Sequence, residues 1–232
     1  MTIDTGCSAT GIALHVACQQ LRDQTAQAHS ALVAGTNLMI TPEFFMAMGA
    51  LGVMSTTGPS KSFDERADGY GRAEGINCIY LKRLSDALRD GDPIRAIIRS
   101  SAANSDGKTV GIASPSAEAQ EAAIRQAYAA AGITDFNVTA YVECHGTGTK
   151  AGDPVEARSI GKVFGNTRRA DDPLHIGSTK PNMGHSEAAS ALTSVIKAVL
   201  ALEAEQIPPN IEFVNPSPAS KDSDLFRYAS YY

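Results

Sequence analysis

Cys7, His145 and His185 are the residues whose types and settings point to chemistry. Cys7 follows Asp4-Thr5-Gly6 and precedes a small and apolar run that reads as a helix. A thiol at a helix N-terminus feels the positive end of the dipole and meets unpaired main-chain N–H groups. Both favour the thiolate, the reactive form. Gly6 permits a sharp strand-to-helix turn that presents the side chain, as nucleophile elbows do. The competing reading is a small buried hydrophobe.

His145 opens His145-Gly146-Thr147-Gly148-Thr149. Two glycines and two threonines give a tight loop whose hydroxyls and N–H groups can hold a polar, extended ligand. A phosphate loop would need Gly-x-x-x-x-Gly-Lys-Ser/Thr, which is absent; Lys150 has no Ser or Thr behind it. A structural turn around a hydrogen-bonded histidine is the alternative. His185 closes Ser178-Thr179-Lys180-Pro181-Asn182-Met183-Gly184-His185, again a strand end followed by a Gly-bearing loop. Lys180 either adds positive charge to such a site or is a solvated surface lysine. Cys7 and His145 are 138 residues apart, and His185 lies 40 further on, which matches no zinc-ligand spacing. Cys144 and His145 are adjacent and diverge on a strand, so no metal site is expected. His15, His29 and His175 stand outside any motif.

The elements that must position these residues alternate between strand and helix patterns. Residues 8–22 read as a buried helix, 31–40 as a short buried strand and 63–75 as a charged, Gly-rich loop. Residues 76–81 and 94–100 are strand candidates, with a short helix or turn at 85–90 between them. Residues 116–131 form the clearest amphipathic helix, capped by Ser116 and ended by Gly132. Then come a strand at 138–142, a helix at 154–164 with Asp153 as N-cap, a strand at 174–178 and a mostly buried helix at 186–206, stopped by Pro208-Pro209. Such alternation predicts a largely parallel sheet with helices on its faces, whose ligands gather at the carboxyl ends of strands. All three candidate residues directly follow strand candidates. Residues 1–5 look like the end of a strand with no preceding element to pair with, so a piece of a larger domain is expected.

Composition narrows the classes. Of the 232 residues, 43% are hydrophobic and 19% charged, which fits an ordinary globular protein and excludes a disordered one. The net charge of −5 gives no basic surface, so nucleic acid is not an expected partner. The longest apolar stretch, residues 44–54, is too short for a membrane span, and the N-terminus has no signal-peptide pattern. Four cysteines without paired spacing fit a reducing compartment, hence a cytoplasmic location.

Four motifs occur together in one order: Asp4-Thr5-Gly6-Cys7-Ser8; Phe63-Asp64-Glu65-Arg66-Ala67-Asp68-Gly69-Tyr70-Gly71-Arg72; the 145–149 loop with Gly152-Asp153-Pro154; and Lys180-Pro181-Asn182-Met183-Gly184-His185. On these residues the chain resembles a β-ketoacyl synthase domain of the kind found in type I polyketide synthases, over residues 1–215, with 216–232 an unassigned tail. The resemblance implies an α/β, thiolase-like layered α-β-α-β-α fold. That fold would be incomplete, lacking the start of the N-terminal half and the C-terminal Gly-rich segment. It departs from the family at Gly6, usually Ala, at Pro181, usually Ser or Thr, and at Ala191, where Gly is common.

The implied reaction is a decarboxylative Claisen condensation. Cys7 would take the acyl chain, and His145 and His185 would promote decarboxylation of a malonyl-type extender. Lys180 and Asn182 would support the histidine loop, and Thr147 and Thr149 would bind the pantetheine arm. No metal or redox cofactor is implied. Substrates would arrive as acyl and malonyl-type thioesters on the 4′-phosphopantetheine of an acyl carrier protein. A homodimer is implied too, and residues 44–54 would line the acyl tunnel or the dimer interface, or simply belong to the core. The competing functions are a catalytically incomplete fragment of such a domain and a fatty-acid-type condensing enzyme or thiolase relative.

Overall fold

The computed structural model describes residues 1–23, 25–111, 114–165, 168–169, 171–220 and 229–230. Its helices are α1 (Ala9–Arg22), α2 (Glu43–Ala50), α3 (Leu84–Asp90), α4 (Ala117–Ala130), α5 (Gly152–Phe164), the single turn α6 (Lys180–Met183) and α7 (Ser190–Ala204). Its strands are β1 (Ser30–Asn37), β2 (Gly75–Lys82), β3 (Tyr141–Glu143), β4 (Leu174–Gly177) and β5 (Ala229–Ser230). The chain divides into two compact units. One comprises Met1–Met39, Ala73–Ala103 and Ser186–Gln206, and the other Ile40–Arg72, Asn104–His185 and Ile207–Tyr232. No helix among the described residues is long and apolar enough to cross a membrane.

In the first unit β1 and β2 pair antiparallel from Ser30↔Lys82 to Asn37↔Gly75, so the parallel sheet expected from the strand–helix alternation does not hold here. Nor is β1 buried throughout. Side chains alternate across a strand; Val33 is enclosed, while Leu32 beside it, and Ile76 and Tyr80 of β2, face outward. Helix α1 is half-covered, enclosing Ala9, Thr10, Cys18 and Leu21, because a helix packed on one side buries one stripe. Helix α7 likewise encloses only Ser190 and Leu192, in place of the mostly buried helix expected, and a 3-10 turn at Glu187–Ala189 precedes it. Asn77 of β2 fastens this region by donating to Ala189 O at 3.1 Å and Thr193 Oγ1 at 2.7 Å.

Two strand expectations fail in this unit. Residues 94–100 form no strand, since a strand needs a neighbouring ladder and none pairs with them among the described residues. Arg22 Nη2 instead takes Arg99 O at 2.8 Å, and His15 Nδ1 meets Ser101 Oγ at 2.9 Å. Residues 1–5 are not a strand end either; an isolated bridge joins Thr5 to Cys7.

The second unit holds the parallel sheet. β3 pairs with β4 (Tyr141↔His175) and β4 with β5 (Leu174↔Ala229). Its core contains Phe63, Cys144, Ala157, Ile160, Val163, Phe164, Leu174 and Ile176. Helix α4 begins as its sequence asks, with Ser116 Oγ accepting Ala119 N–H at 3.1 Å. The strand expected at 138–142 lies later, at Tyr141–Glu143, because Asp135 Oδ1 accepts Asn137 N–H at 2.9 Å and winds Phe136–Val138 into a 3-10 turn. Asp153 is not the N-cap of α5; Ala151 is, and Asp153 sits inside the first turn. Helix α2 encloses no residue: Phe44 is 46% exposed and Met46 64%, so the core reading of residues 44–54 is corrected. Of the tail, residues 221–228 and 231–232 lie outside the described part.

Candidate active site

Cys7 belongs to the first unit. Gly6 turns the chain with φ +64°, a conformation that side chains with a Cβ rarely adopt. The Gly6 carbonyl accepts Ala9 N–H at 3.1 Å, and Asp4 Oδ1 accepts Gly6 N–H at 3.2 Å. Ser8 is the N-cap of α1, so Cys7 stands just outside the helix. The thiol is half-buried, and Sγ donates to Glu187 Oε2 at 3.5 Å. Glu187 carries φ +47°, an uncommon conformation for a residue with a side chain, and Ser190 Oγ donates to Cys7 O at 3.1 Å.

His145, Lys180 and His185 come together in the second unit. The imidazole rings lie 5.4 Å apart and nearly perpendicular, at 88°. Lys180 is 2% exposed, which removes the surface-lysine reading. Its Nζ donates to His145 O and stands 3.3 Å from His145 Nδ1. An ammonium can only donate, so Nδ1 accepts and the His145 proton resides on Nε2. His185 is 1% exposed, and Tyr70 meets its ring edge-to-face at 5.0 Å. The main chain of His185 bridges that of Arg72, and its N–H donates to Gly71 O at 2.6 Å.

Both imidazoles are held neutral. Loss of hydration around the ring, and then the Lys180 charge, push the His145 pKa down to about 3. The His145 residue keeps solvent-accessible surface, which screens part of that effect; the direction holds because Lys180 is adjacent. Burial, followed by Lys180, His145 and Arg72, pushes His185 down to about 2. Each ring therefore offers one N–H donor at neutral pH, an arrangement suited to stabilising an oxyanion or enolate without passing a proton.

The 145–149 loop is laced to the start of α5. Glu156 accepts the N–H groups of His145 (2.6 Å) and Gly146 (2.8 Å). Asp153 accepts those of Phe63 (2.7 Å) and Gly148 (3.1 Å). Thr147 and Thr149 share a hydroxyl contact of 3.0 Å, and Thr149 Oγ1 also accepts Gly152 N–H at 3.1 Å. Asn210 Oδ1 accepts Ser178 N–H at 3.1 Å, and Ser178 Oγ donates to His145 O at 3.2 Å. Asn182 is exposed on α6. Glu156 and Asn210 escaped the sequence reading, and Tyr70 entered it only within the 63–72 motif. Glu156 lies in the second turn of α5 and takes up loop N–H groups that precede the helix, a pairing that no local sequence signal announces.

The family descriptions that match are the beta-ketoacyl synthase N-terminal domain over residues 1–87 and its C-terminal domain over residues 95–214. The chain is 55% identical over 218 residues to a highly reducing polyketide synthase of Byssochlamys spectabilis, covering 94% of this chain and 10% of that protein. It is 54% identical over 219 residues to another of Eupenicillium brefeldianum, covering 94% and 9%. It thus spans about a tenth of the length of these relatives. Among solved structures, the ketosynthase from module 6 of the bacillaene synthase of Bacillus subtilis 168 superposes with a TM-score of 0.92 at 38% identity, covering 99% of this chain and 40% of that one. The oxazolomycin ketosynthase domain of Streptomyces albus JA3453 gives 0.89 at 34%, covering 95% and 38%. The fold is accordingly part of the thiolase-like α/β fold of ketosynthase domains. With both halves of the family description matched in sequence order, the chain belongs to the β-ketoacyl synthase family.

Proposed function

We propose that this chain carries the condensing machinery of a polyketide synthase, with Cys7 as nucleophile and His145 and His185 as hydrogen-bond donors to an enolate. The observation that carries the reading is the trio of Lys180 and two neutral imidazoles with ring centroids 5.4 Å apart. The Cys7 thiolate attacks the carbonyl of a carrier-bound acyl thioester, the pantetheine thiolate leaves, and the acyl group is held on sulfur. A malonyl-type thioester then loses CO2. The electrons of the broken C–C bond pass to the thioester carbonyl as an enolate, whose oxygen the imidazole N–H groups receive. The enolate carbon attacks the acyl-Cys7 carbonyl, a C–C bond forms, and the Cys7 thiolate leaves.

The relatives' description as highly reducing polyketide synthases supports this over a fatty-acid-type condensing enzyme. Residues 1–215 would form the ketosynthase part and 216–232 a tail outside it. An acyl carrier protein would be the partner, its phosphopantetheine arm touching Thr147 and Thr149, while Asn182 would help shape the histidine loop. A homodimer in the cytoplasm completes the reading.

The test is acyl loading and CO2 release measured separately. Cys7→Ala abolishes loading from an acyl thioester and leaves CO2 release from malonyl thioester largely intact; His145→Ala or His185→Ala loses CO2 release and retains loading. A persistent acyl-protein adduct in Cys7→Ala overturns the assignment.

A further inference from the structure

The segment Tyr70-Gly71-Arg72 runs as a rail along His185. His185 N–H donates to Gly71 O at 2.6 Å, Arg72 bridges His185 through the main chain, and the Tyr70 ring meets the imidazole at 5.0 Å. The approach is as close as main chain allows. A Cβ on Gly184 would lie 2.8 Å from Arg72 O and 2.9 Å from Gly71 O. Whatever moves residues 70–72 therefore moves the imidazole.

The far end of that rail is fixed to helix α2. The Arg72 guanidinium lies 4.7 Å over the Phe44 ring and 5.9 Å from that of Phe45. Such contacts are worth about 0.5–2 kcal/mol, more as water is excluded. Arg72 is half-buried, whereas Phe44, Phe45 and Met46 are exposed, so the guanidinium is the link between an open apolar helix and an enclosed histidine. The same charge contributes to holding His185 neutral. A lysine in its place would keep the charge and lose the planar face that stacks on an aromatic ring.

We propose that Arg72 is a positioning residue for His185, and that it couples the imidazole's placement to helix α2 through the Phe44 ring. The consequence for the reaction rests on the role given to His185 above; the coupling itself does not.

The test is a double-mutant comparison on the whole chain with 15N-labelled histidine, reading the His185 ring nitrogen signals by NMR and CO2 release from malonyl thioester in parallel. Phe44→Leu, a change on an exposed helix face, is expected to shift the His185 signals and to slow CO2 release about fivefold, the equivalent of one cation–π contact. Arg72→Met is expected to shift the same signals and to abolish any further effect of Phe44→Leu, and Arg72→Lys to restore them in part. Unchanged His185 signals in Phe44→Leu overturn the coupling, as does an equal shift with and without Arg72. Phe44→Leu answers the question even if Arg72→Met does not fold. Shifts of the expected kind in a chain that releases no CO2 uphold the coupling and overturn the proposed reaction.

Discussion

Glu156 holds the main chain of His145 with both of its carboxylate oxygens: Oε1 accepts the His145 N–H at 2.6 Å and Oε2 that of Gly146 at 2.8 Å. The chain leaves β3 at this point, and Glu156, in the second turn of α5, supplies the acceptors for those donors. Lys180 closes the arrangement from the other side by donating to His145 O. The imidazole is thus aimed by its own main chain.

Glu156→Gln should loosen that aim. An amide offers one acceptor and turns an N–H2 towards the other donor, an unsatisfied pair that costs about 1–3 kcal/mol. The expected outcome is lower resistance to denaturant, together with CO2 release reduced about tenfold per folded molecule and Cys7 acylation reduced less. Release unchanged per folded molecule would show that Glu156 supports the fold and does not orient His145.

Asp153 gives a pH signature of its own. Burial, reinforced by the charge of Glu156, lifts its pKa from 3.8 to about 7, against the pull of the Phe63 and Gly148 N–H groups. Below 3.8 the folded and unfolded chains both hold the proton; between 3.8 and about 7 only the folded chain does; above that both are ionised. Its favourable contribution is therefore full in acid and lost as pH rises through about 7. Unfolding by urea should show the stability margin of the unaltered chain over Asp153→Asn shrinking as pH is raised from about 5 to about 8. A margin that stays level over that range would mean that the N–H donors, and not burial, set its ionisation.

These two carboxylates also show where a sequence stops being informative. The His145 and His185 loops were legible because Gly, His and Lys clustered after β3 and β4 announce tight turns and polar chemistry, whereas the strand read before Cys7 is absent. The work of Glu156 depends on helical phase, and Asp153, read as a cap, lies two positions inside the helix because α5 begins at Gly152. Burial was the harder part. Leu32, Ile76 and Tyr80 have strand-forming side chains, yet periodicity does not say which face is covered, and all three face outward. Residues 94–100 are rich in isoleucine but find no ladder among the described residues, and composition carries no information about a partner.

The neutrality of both imidazoles predicts a flat acid limb for decarboxylation. Loss of hydration and then Lys180 depress His145 to about 3, and burial and then Lys180 depress His185 to about 2, from an ordinary 6.5. Between those values and 6.5 the folded chain keeps its histidines uncharged while the unfolded chain protonates them, so the stability they contribute is present above 6.5 and lost as pH falls towards 3. CO2 release per folded molecule should accordingly show no inflection near 6.5. Removing the Lys180 charge with Lys180→Met should raise the histidine pKa values and bring an acid limb towards neutrality. An inflection near 6.5 in the unaltered chain would mean that a protonated imidazole interferes with the step at ordinary pH.

Gly184→Ala attacks the histidine loop without touching a polar side chain. Gly184 has φ +85°, and its missing Cβ leaves room for Arg72 O and Gly71 O, which would lie 2.8 and 2.9 Å from an added methyl group. Both obstacles are main-chain atoms, so no rotamer change relieves them, and the positive φ adds a strain of about 1 kcal/mol or more. The loop must back away from residues 71–72, which breaks the His185 N–H to Gly71 O bond and draws the imidazole off the His145 ring. CO2 release should fall more than about a hundredfold, because a displacement of about 1 Å is enough to do so. Cys7 acylation, which calls on a residue of the other unit, should fall far less. Equal losses in both half-reactions would show that the substitution unfolds the chain, and retention of CO2 release would show that His185 does not act from the position described.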